Sequence, residues 1–149
     1  MKIKGLDHMG IVSADLEKTR RFYTEFLGLE EVPRPENFKF GGLWLRIEGS
    51  GGIHVVLADD TTSDAGIPDP GEGKVGGLVT HFAFVVDELA PYMERAEEMN
   101  IAIVGGPYER GLGAKQAYLQ DDDGYIVELF ERSTVTGKGE ERLPIKAAG

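Results

Sequence analysis

The chain has 149 residues, of which 41% are hydrophobic and 28% are charged, a composition that suits one ordinary domain with a buried core. Its formal net charge of -10 argues against a nucleic-acid surface, which needs basic residues to neutralise phosphates. Because no cysteine is present, disulfides, thiolate metal sites and cysteine nucleophiles are excluded, and any metal must be held by imidazole and carboxylate groups.

The N-terminal segment, MKIKGLDHMGIV, has only a short apolar run and lacks the cleavage-like site of a signal peptide. No stretch of the chain approaches the roughly 20 apolar residues that cross a bilayer. We therefore expect a cytoplasmic protein with no membrane partner and no nucleic-acid partner.

An internal repeat organises the chain. Residues 6–16 (LDHMGIVSADL) align with residues 79–89 (VTHFAFVVDEL), and this alignment places His8 on His81. Each copy continues into a helical pattern and then into three strand-like runs separated by turn residues. The sequence therefore predicts an α+β fold of two tandem βαβββ modules.

One domain is predicted over residues 1–149. Its parts are module one, a linker, module two and a tail, over residues 1–58, 59–77, 78–131 and 132–149. The linker is assigned from its Gly, Pro and Asp content, and the tail from its lack of periodicity.

Capping residues predict where the two helices begin and end. Asp15 can cap the first helix, because a carboxylate accepts hydrogen bonds from first-turn N–H groups, and Gly28 can end it. Asp87 and Asn100 are the matching residues of the second helix. The strands predicted after the helices cover residues 30–32, 43–48, 53–58, 101–104, 115–120 and 125–131.

All three histidines fall at repeat-related positions. His8 and His81 occupy the same place in the two first strands, His54 follows His8 by 46 residues, and Glu128 follows His81 by 47. If the modules pack about a pseudo-twofold axis, these four residues converge. Three imidazoles and one carboxylate would suit one divalent transition metal ion, Zn, Ni, Co, Mn or Fe, rather than Ca or Mg. The alternative is a metal-free pocket with hydrogen-bonded core histidines.

Two aromatic residues stand ten positions before a predicted ligand. Trp44 precedes His54 and Tyr118 precedes Glu128 by that spacing, so each is expected on the strand beside its ligand strand. Trp44 is either a pocket wall or a core residue. Tyr118 offers a phenol that can hydrogen-bond a metal-bound substrate.

Charged residues near these positions have plainer interpretations. Arg46, two positions after Trp44, either brings a positive charge into the same cavity or lies at the surface. Glu30, Glu31 and the run Asp121–Asp123 are expected to be solvated, and the run is expected to form a turn.

Three stretches of the chain resemble the vicinal oxygen chelate superfamily. This superfamily includes glyoxalase I, bleomycin-resistance proteins, fosfomycin-resistance thiol transferases, methylmalonyl-CoA epimerase and type I extradiol dioxygenases. The matching stretches are LDHMGIVSADLEKTRRFYTEFLGLE, THFAFVVDELAPYMERAEEMNIAIVGGP and AYLQDDDGYIVELFE. The resemblance spans residues 5–58 and 79–131. It implies a curved, incomplete β-barrel with flanking helices, which holds a metal with open coordination positions.

The resemblance also implies roles for individual residues. The family's first-strand, second-module and last-strand ligands fall on His8, His81 and Glu128. His54 stands where glyoxalase I usually has a glutamate ligand and near an acid–base histidine of the extradiol dioxygenases, so it is either a ligand or an acid–base. Tyr118 matches a tyrosine that several members place beside the metal-bound substrate.

The function that the resemblance implies is metal-dependent chemistry on a small substrate that chelates the ion through vicinal oxygens. We expect a glyoxalase I-like lyase or isomerase that forms an enediolate, with Glu128 or His54 as the base and Tyr118 beside the substrate. The alternatives are an extradiol-type ring-cleaving dioxygenase and a bleomycin-resistance-like binding protein without catalysis. A homodimer is expected, because a fold of this kind leaves sheet edges and apolar faces to be covered.

Overall fold

A computed structural model describes residues 7–36, 39–58, 81–110 and 114–132. Within them the chain forms two successive copies of a strand, a helix and three strands, which confirms the predicted α+β fold of two tandem modules. The predicted linker and the predicted tail beyond residue 132 lie outside the described residues. None of the described helices is long and apolar enough to cross a membrane.

The elements of the two modules correspond one to one. Those of module one are β1 (His8–Ser13), α1 (Leu16–Arg20), β2 (Glu30–Val32), β3 (Gly42–Arg46) and β4 (Gly52–Leu57). A π-helical segment, Arg21–Phe26, continues α1. Those of module two are β5 (Phe82–Val86), α2 (Ala90–Glu98), β6 (Ala102–Arg110), β7 (Ala114–Gln120) and β8 (Ile126–Glu131). The main difference from the predicted strands is β6, which runs on to Arg110 although the prediction ended it at residue 104.

Each module forms one four-stranded mixed sheet. The strand orders are β1-β4-β3-β2 and β5-β8-β7-β6, so the two sheets have the same topology. In each sheet the first strand pairs in parallel with the last strand of its module, and the other neighbours are antiparallel. β1 and β5 are therefore edge strands, whereas β4, which carries His54, and β8, which carries Glu128, lie inside their sheets.

The first helix begins and ends as predicted. Asp15 Oδ1 accepts hydrogen bonds from two first-turn N–H groups, at 3.0 and 3.2 Å, and Gly28 adopts a φ of 79° just beyond the helical segment. The π-helical continuation was not predicted. Three aromatic residues of this segment, Phe22, Tyr23 and Phe26, are buried in the core.

The second helix ends as predicted but begins differently. It starts at Ala90, and the residue before it, Leu89, has helical backbone angles and no side-chain cap. The prediction that Asp87 caps this helix is therefore wrong. The Leu89 N–H instead donates to Glu131 Oε2 of β8, at 2.7 Å. The predicted end is confirmed, because Asn100 adopts a left-handed φ of 55°.

The core packs the helices against one face of each sheet. The buried sheet residues in it include Leu43, Leu45, Ile53, Val55, Ala117, Leu119, Val127 and Leu129. Because successive residues of a strand point to opposite faces, the residues between them lie on the other face, which we call the site face. The site face carries Trp44 and His54 in module one, and Gln116, Tyr118 and Glu128 in module two.

The turn between β7 and β8 contains a buried carboxylate. The run Asp121–Asp123 forms the predicted turn, but Asp121 is only 7% exposed, so the expectation of solvated charge is wrong for this residue. Its carboxylate accepts hydrogen bonds from the Tyr23 hydroxyl, at 2.8 Å, and from the N–H groups of Asp123 and Tyr125, at 3.0 and 2.8 Å. One of these donors, Tyr23, comes from the other module.

Candidate metal site

The two histidines of module one lie side by side. The pairing of β1 with β4 sets Gly10 opposite His54, and the rings of His8 and His54 stack with their centroids 3.8 Å apart. Trp44 lies opposite His54 on β3, as predicted, and stacks on its ring with centroids 4.2 Å apart. Trp44 therefore forms a wall beside the histidine pair.

The surroundings of these histidines suit metal ligation. His8 Nδ1 lies 2.7 Å from Asp7 Oδ2, and when Nδ1–H donates to this carboxylate, Nε2 keeps a free lone pair. The same hydrogen bond holds the pKa of the Asp7 carboxyl below its usual range. Burial, and to a smaller extent the charge of His8, lowers the pKa of His54, which favours the neutral imidazole that binds metals.

In module two, His81 and Glu128 contact each other directly. His81 immediately precedes β5, and its Nε2 lies 2.8 Å from Glu128 Oε2 on β8. Glu128 is only 9% exposed, and a carboxylate so buried needs a partner. Tyr118 lies opposite Glu128 on β7, as predicted, and its ring packs edge-on against His81 with centroids 5.5 Å apart.

Gln116 is a site residue that sequence reasoning missed. Its Nε2 lies 2.8 Å from Glu128 Oε1 and also 2.8 Å from the Tyr118 hydroxyl oxygen. A signal was present in the sequence, because Gln116 precedes Tyr118 by two residues and strand alternation places both on the same face. Its pairing with Glu128 depends on side-chain geometry that the spacing alone does not give.

The structure brings the four predicted ligands together as two pairs, which we call half-sites. His8 with His54 forms the half-site of module one, and His81 with Glu128 forms that of module two. Among the residues that the structure describes, no three His, Asp or Glu side chains lie close enough to hold one metal ion. Within the described residues, a single chain therefore offers two candidate half-sites of two residues each, on two different sheets.

The donor atoms of both half-sites fit a divalent transition metal. Imidazole nitrogen and carboxylate oxygen are common ligands of Zn and related ions. Two ligand atoms that each lie about 2.1 Å from an ion, with a right angle between the two bonds, are about 3 Å apart. His81 Nε2 and Glu128 Oε2 are separated by 2.8 Å. An ion could thus take the place of the hydrogen between these two atoms without a large movement of either side chain.

The charged residues near Trp44 form surface ion pairs. Arg46 pairs with Glu30 of β2, and the two side chains are 59% and 60% exposed. Glu31 pairs with Arg20 at 2.7 Å, which holds the pKa of the Glu31 carboxyl below its usual range. Of the two interpretations of Arg46, the surface one agrees with this geometry.

The family model described as Glyoxalase/Bleomycin resistance protein/Dioxygenase superfamily matches residues 5–129. The chain belongs to this superfamily. Both half-sites lie within the matched residues, and the resemblance inferred from the sequence is confirmed. Members of the superfamily commonly bind divalent metals, in line with the imidazole and carboxylate donors of the half-sites.

Similar proteins within the superfamily include named enzymes. A protein named Glyoxylase I 4 from Arabidopsis thaliana is 25% identical over 130 residues, which cover 87% of this chain and 71% of that protein. A lactoylglutathione lyase from Salmonella typhimurium is 29% identical over 128 residues, covering 83% and 90% of the two chains. An integron cassette protein of V. cholerae, known as a solved structure, is 27% identical with a TM-score of 0.67, covering 89% and 98%.

Proposed function

We propose that the protein is a metal-dependent, glyoxalase I-like lyase or isomerase that works as a homodimer. One chain supplies the half-site of His8 and His54, and its partner supplies the half-site of module two. The observation that carries the proposal is the pair of half-sites on the two site faces, which together contain the three imidazoles and one carboxylate of a four-ligand site.

The incompleteness of each half-site supports the dimer. Catalytic zinc sites use three protein ligands, and each half-site supplies two. Val12 and Val85 occupy matching positions of the edge strands β1 and β5, and they are 40% and 59% exposed. In a dimer with twofold symmetry, module one of each chain can pack against module two of its partner. This packing would cover the two valines and would create two identical four-ligand sites.

The residues of the site suit proton transfer beside a carbonyl group. A bound divalent ion supplies Lewis-acid polarisation of two adjacent substrate oxygens. Glu128 takes a proton from the carbon next to the carbonyl and returns it to the neighbouring carbon, so the substrate isomerises without gaining or losing atoms. Tyr118, beside Glu128, donates a hydrogen bond to a substrate oxygen. His54 either completes the ligand set or serves as the acid–base.

The relatives support this reaction class, since their names include glyoxylase I and lactoylglutathione lyase. The substrate class that we propose is therefore a small 2-oxoaldehyde adduct with a thiol, or a related hydroxy-ketone, with two adjacent oxygens. Glu128 is itself only 9% exposed, and Ile126, two positions before it on the same face of β8, is 7% exposed, so little water reaches the carboxylate that acts as the base.

An activity panel tests the proposal. Protein loaded in turn with Zn, Ni, Co, Mn or Fe(II) is assayed with the methylglyoxal–glutathione hemithioacetal and with catechols under oxygen. We expect turnover of the hemithioacetal or a related hydroxy-ketone, loss of turnover in Glu128→Gln, and no loss in the control Glu109→Gln on exposed β6. Turnover of catechols alone would indicate a ring-cleaving dioxygenase. Binding of bleomycin-type ligands by metal-free protein, without turnover of any substrate, would indicate a binding protein.

A further inference from the structure

We propose that Gln116 is a positioning residue, which holds the carboxylate of Glu128 through Oε1 and leaves the hydroxyl hydrogen of Tyr118 free for a substrate oxygen. The inference rests on the proposed metal site. It assigns a role to a neutral residue that is neither a ligand nor a base.

The side-chain amide of Gln116 joins two residues of the site. Its Nε2 lies 2.8 Å from Glu128 Oε1 and 2.8 Å from the Tyr118 hydroxyl oxygen, and Gln116 itself is 9% exposed. An ionised carboxylate only accepts hydrogen bonds, so the amide must turn its NH2 group toward Glu128. The two hydrogens of that group are then used on two acceptors, one on each residue.

The first consequence concerns the carboxylate of Glu128. Gln116 holds Oε1, while Oε2 lies 2.8 Å from His81 Nε2. The two oxygens therefore have different partners, and rotation of the carboxylate group would break both contacts. Oε2 is presented to the position between Glu128 and His81, where an ion would bind, and Oε1 is kept away from it. Such neighbouring hydrogen bonds commonly orient metal-binding carboxylates.

The second consequence concerns the hydroxyl of Tyr118. Because Nε2 of Gln116 has no lone pair, the Tyr118 oxygen must accept the hydrogen bond between them, and the hydroxyl hydrogen points elsewhere. The ring is held in place by its edge-on contact with His81 and by Gly105 of β6, where an added Cβ would lie 3.2 Å from Tyr118 Cδ2. The structure therefore presents an O–H donor, with a fixed ring, beside the metal half-site.

A metal-binding experiment tests the first consequence. Gln116→Met keeps the length of the side chain and removes the NH2 group. The matched control is Gln120→Met, because Gln120 lies on the same strand and donates to the backbone oxygen of Gly124 instead. Measured by calorimetry with nickel(II), Gln116→Met should weaken binding by about ten- to a hundred-fold, and the control by less than about twofold. In a Glu128→Ala background, Gln116→Met should cause no further loss, because its effect passes through Glu128.

A metal-free measurement separates this inference from the proposed function. In isotope-labelled protein, the two NH2 protons of Gln116 should give separate signals. Glu128→Ala should move one signal and Tyr118→Phe the other, while both leave the Gln120 signals in place. The inference would be overturned if neither substitution moved a Gln116 signal. It would also be overturned if Gln116→Met bound nickel with the affinity of the wild type. Wild-type protein that binds no ion, yet shows both shifts, would overturn the metal-dependent function and still support the positioning of Glu128 and Tyr118 by Gln116.

Discussion

Tyr23 and Asp121 form a buried hydrogen bond between the two modules, with 2.8 Å from the phenol oxygen to Oδ2. Tyr23 lies in the π-helical segment of module one and is 0% exposed, and Asp121 begins the turn between β7 and β8 of module two. The other carboxylate oxygen accepts two N–H groups of its own turn. One side chain thus both shapes the turn and attaches it to the first module.

Removal of the phenol hydroxyl should lower the stability of the fold. Tyr23→Phe leaves Oδ2 of Asp121 buried without its donor, and we expect a loss of about 1.5–3 kcal/mol in the free energy of unfolding, as for other hydrogen bonds to charged groups. Tyr125→Phe is the comparison, since the Tyr125 hydroxyl accepts a hydrogen bond from the Val12 N–H in an exposed setting, and it should cost less. Urea unfolding measures both. Equal losses in the free energy of unfolding would show that the buried hydrogen bond contributes no more to stability than the exposed one.

The buried carboxylate also predicts a pH dependence. Burial, as the largest effect, raises the pKa of Asp121 above its ordinary value of 3.8. The folded state therefore holds the proton more tightly than the unfolded state, so the contribution to stability is full below about pH 4 and is lost as the pH rises through the raised pKa. Asp121→Asn, which can keep all three hydrogen bonds, should become more stable relative to wild type as the pH rises from about 4 to 7. Parallel stability curves for the two proteins would contradict this.

Much of the architecture could be predicted, because the repeat and the strand periodicity are local patterns. His8 and His81 fall on each other when the copies are aligned, and the ten-residue spacings placed Trp44 and Tyr118 on the strands beside those of His54 and Glu128, as the structure confirms. These are statements about register, which hydrophobic alternation determines strongly.

What could not be predicted depends on contacts between distant elements. Asp87 is of a residue type that often caps helices, yet the Leu89 N–H at the start of the second helix donates its hydrogen bond to Glu131 of β8. Asp121 stands in an acidic run that is typical of a solvated turn, yet in the structure it is buried and bonded to Tyr23 of the other module. The separation of the half-sites in one chain does not follow from the repeat either, because a pseudo-twofold repeat is compatible both with an axis within one chain and with an axis between two chains.

Loss of single ligands should weaken metal binding. His81→Ala and Glu128→Ala remove the two atoms that lie 2.8 Å apart in one half-site, and each should lower the affinity for the bound ion by at least about tenfold. His54→Ala should do so only if His54 contacts the ion, whereas an acid–base role would lower turnover and spare binding. Equilibrium dialysis measures the affinities, with Glu109→Ala as a control. Unchanged binding in the first two variants would place the site elsewhere.

The proposed dimer should be measurable directly. Light scattering at micromolar concentration should give twice the chain mass of 16.3 kDa. Val85→Lys, which puts a charge on an apolar side chain that is 59% exposed in the single chain, should shift the protein toward the monomer if that face is covered in the dimer. Glu109→Lys on exposed β6 is the control for an added charge. A wild-type monomer would contradict the dimer and the shared site together.

Mixing two defective variants decides whether the half-sites of one site come from different chains. His8→Ala chains keep the His81 and Glu128 half-site, and His81→Ala chains keep the His8 and His54 half-site, so neither homodimer contains a complete site. In a mixed dimer, one of the two shared sites combines the two intact half-sites, and the other combines the two damaged ones. If chains exchange at random, half of the dimers are mixed, and about one site in four should regain wild-type metal affinity and activity.

We expect this recovery after equal amounts of the variants are unfolded and refolded together, and no recovery when they are refolded apart and assayed at once after mixing. A site formed within one chain would show no recovery in either case, because every chain in the mixture lacks one ligand.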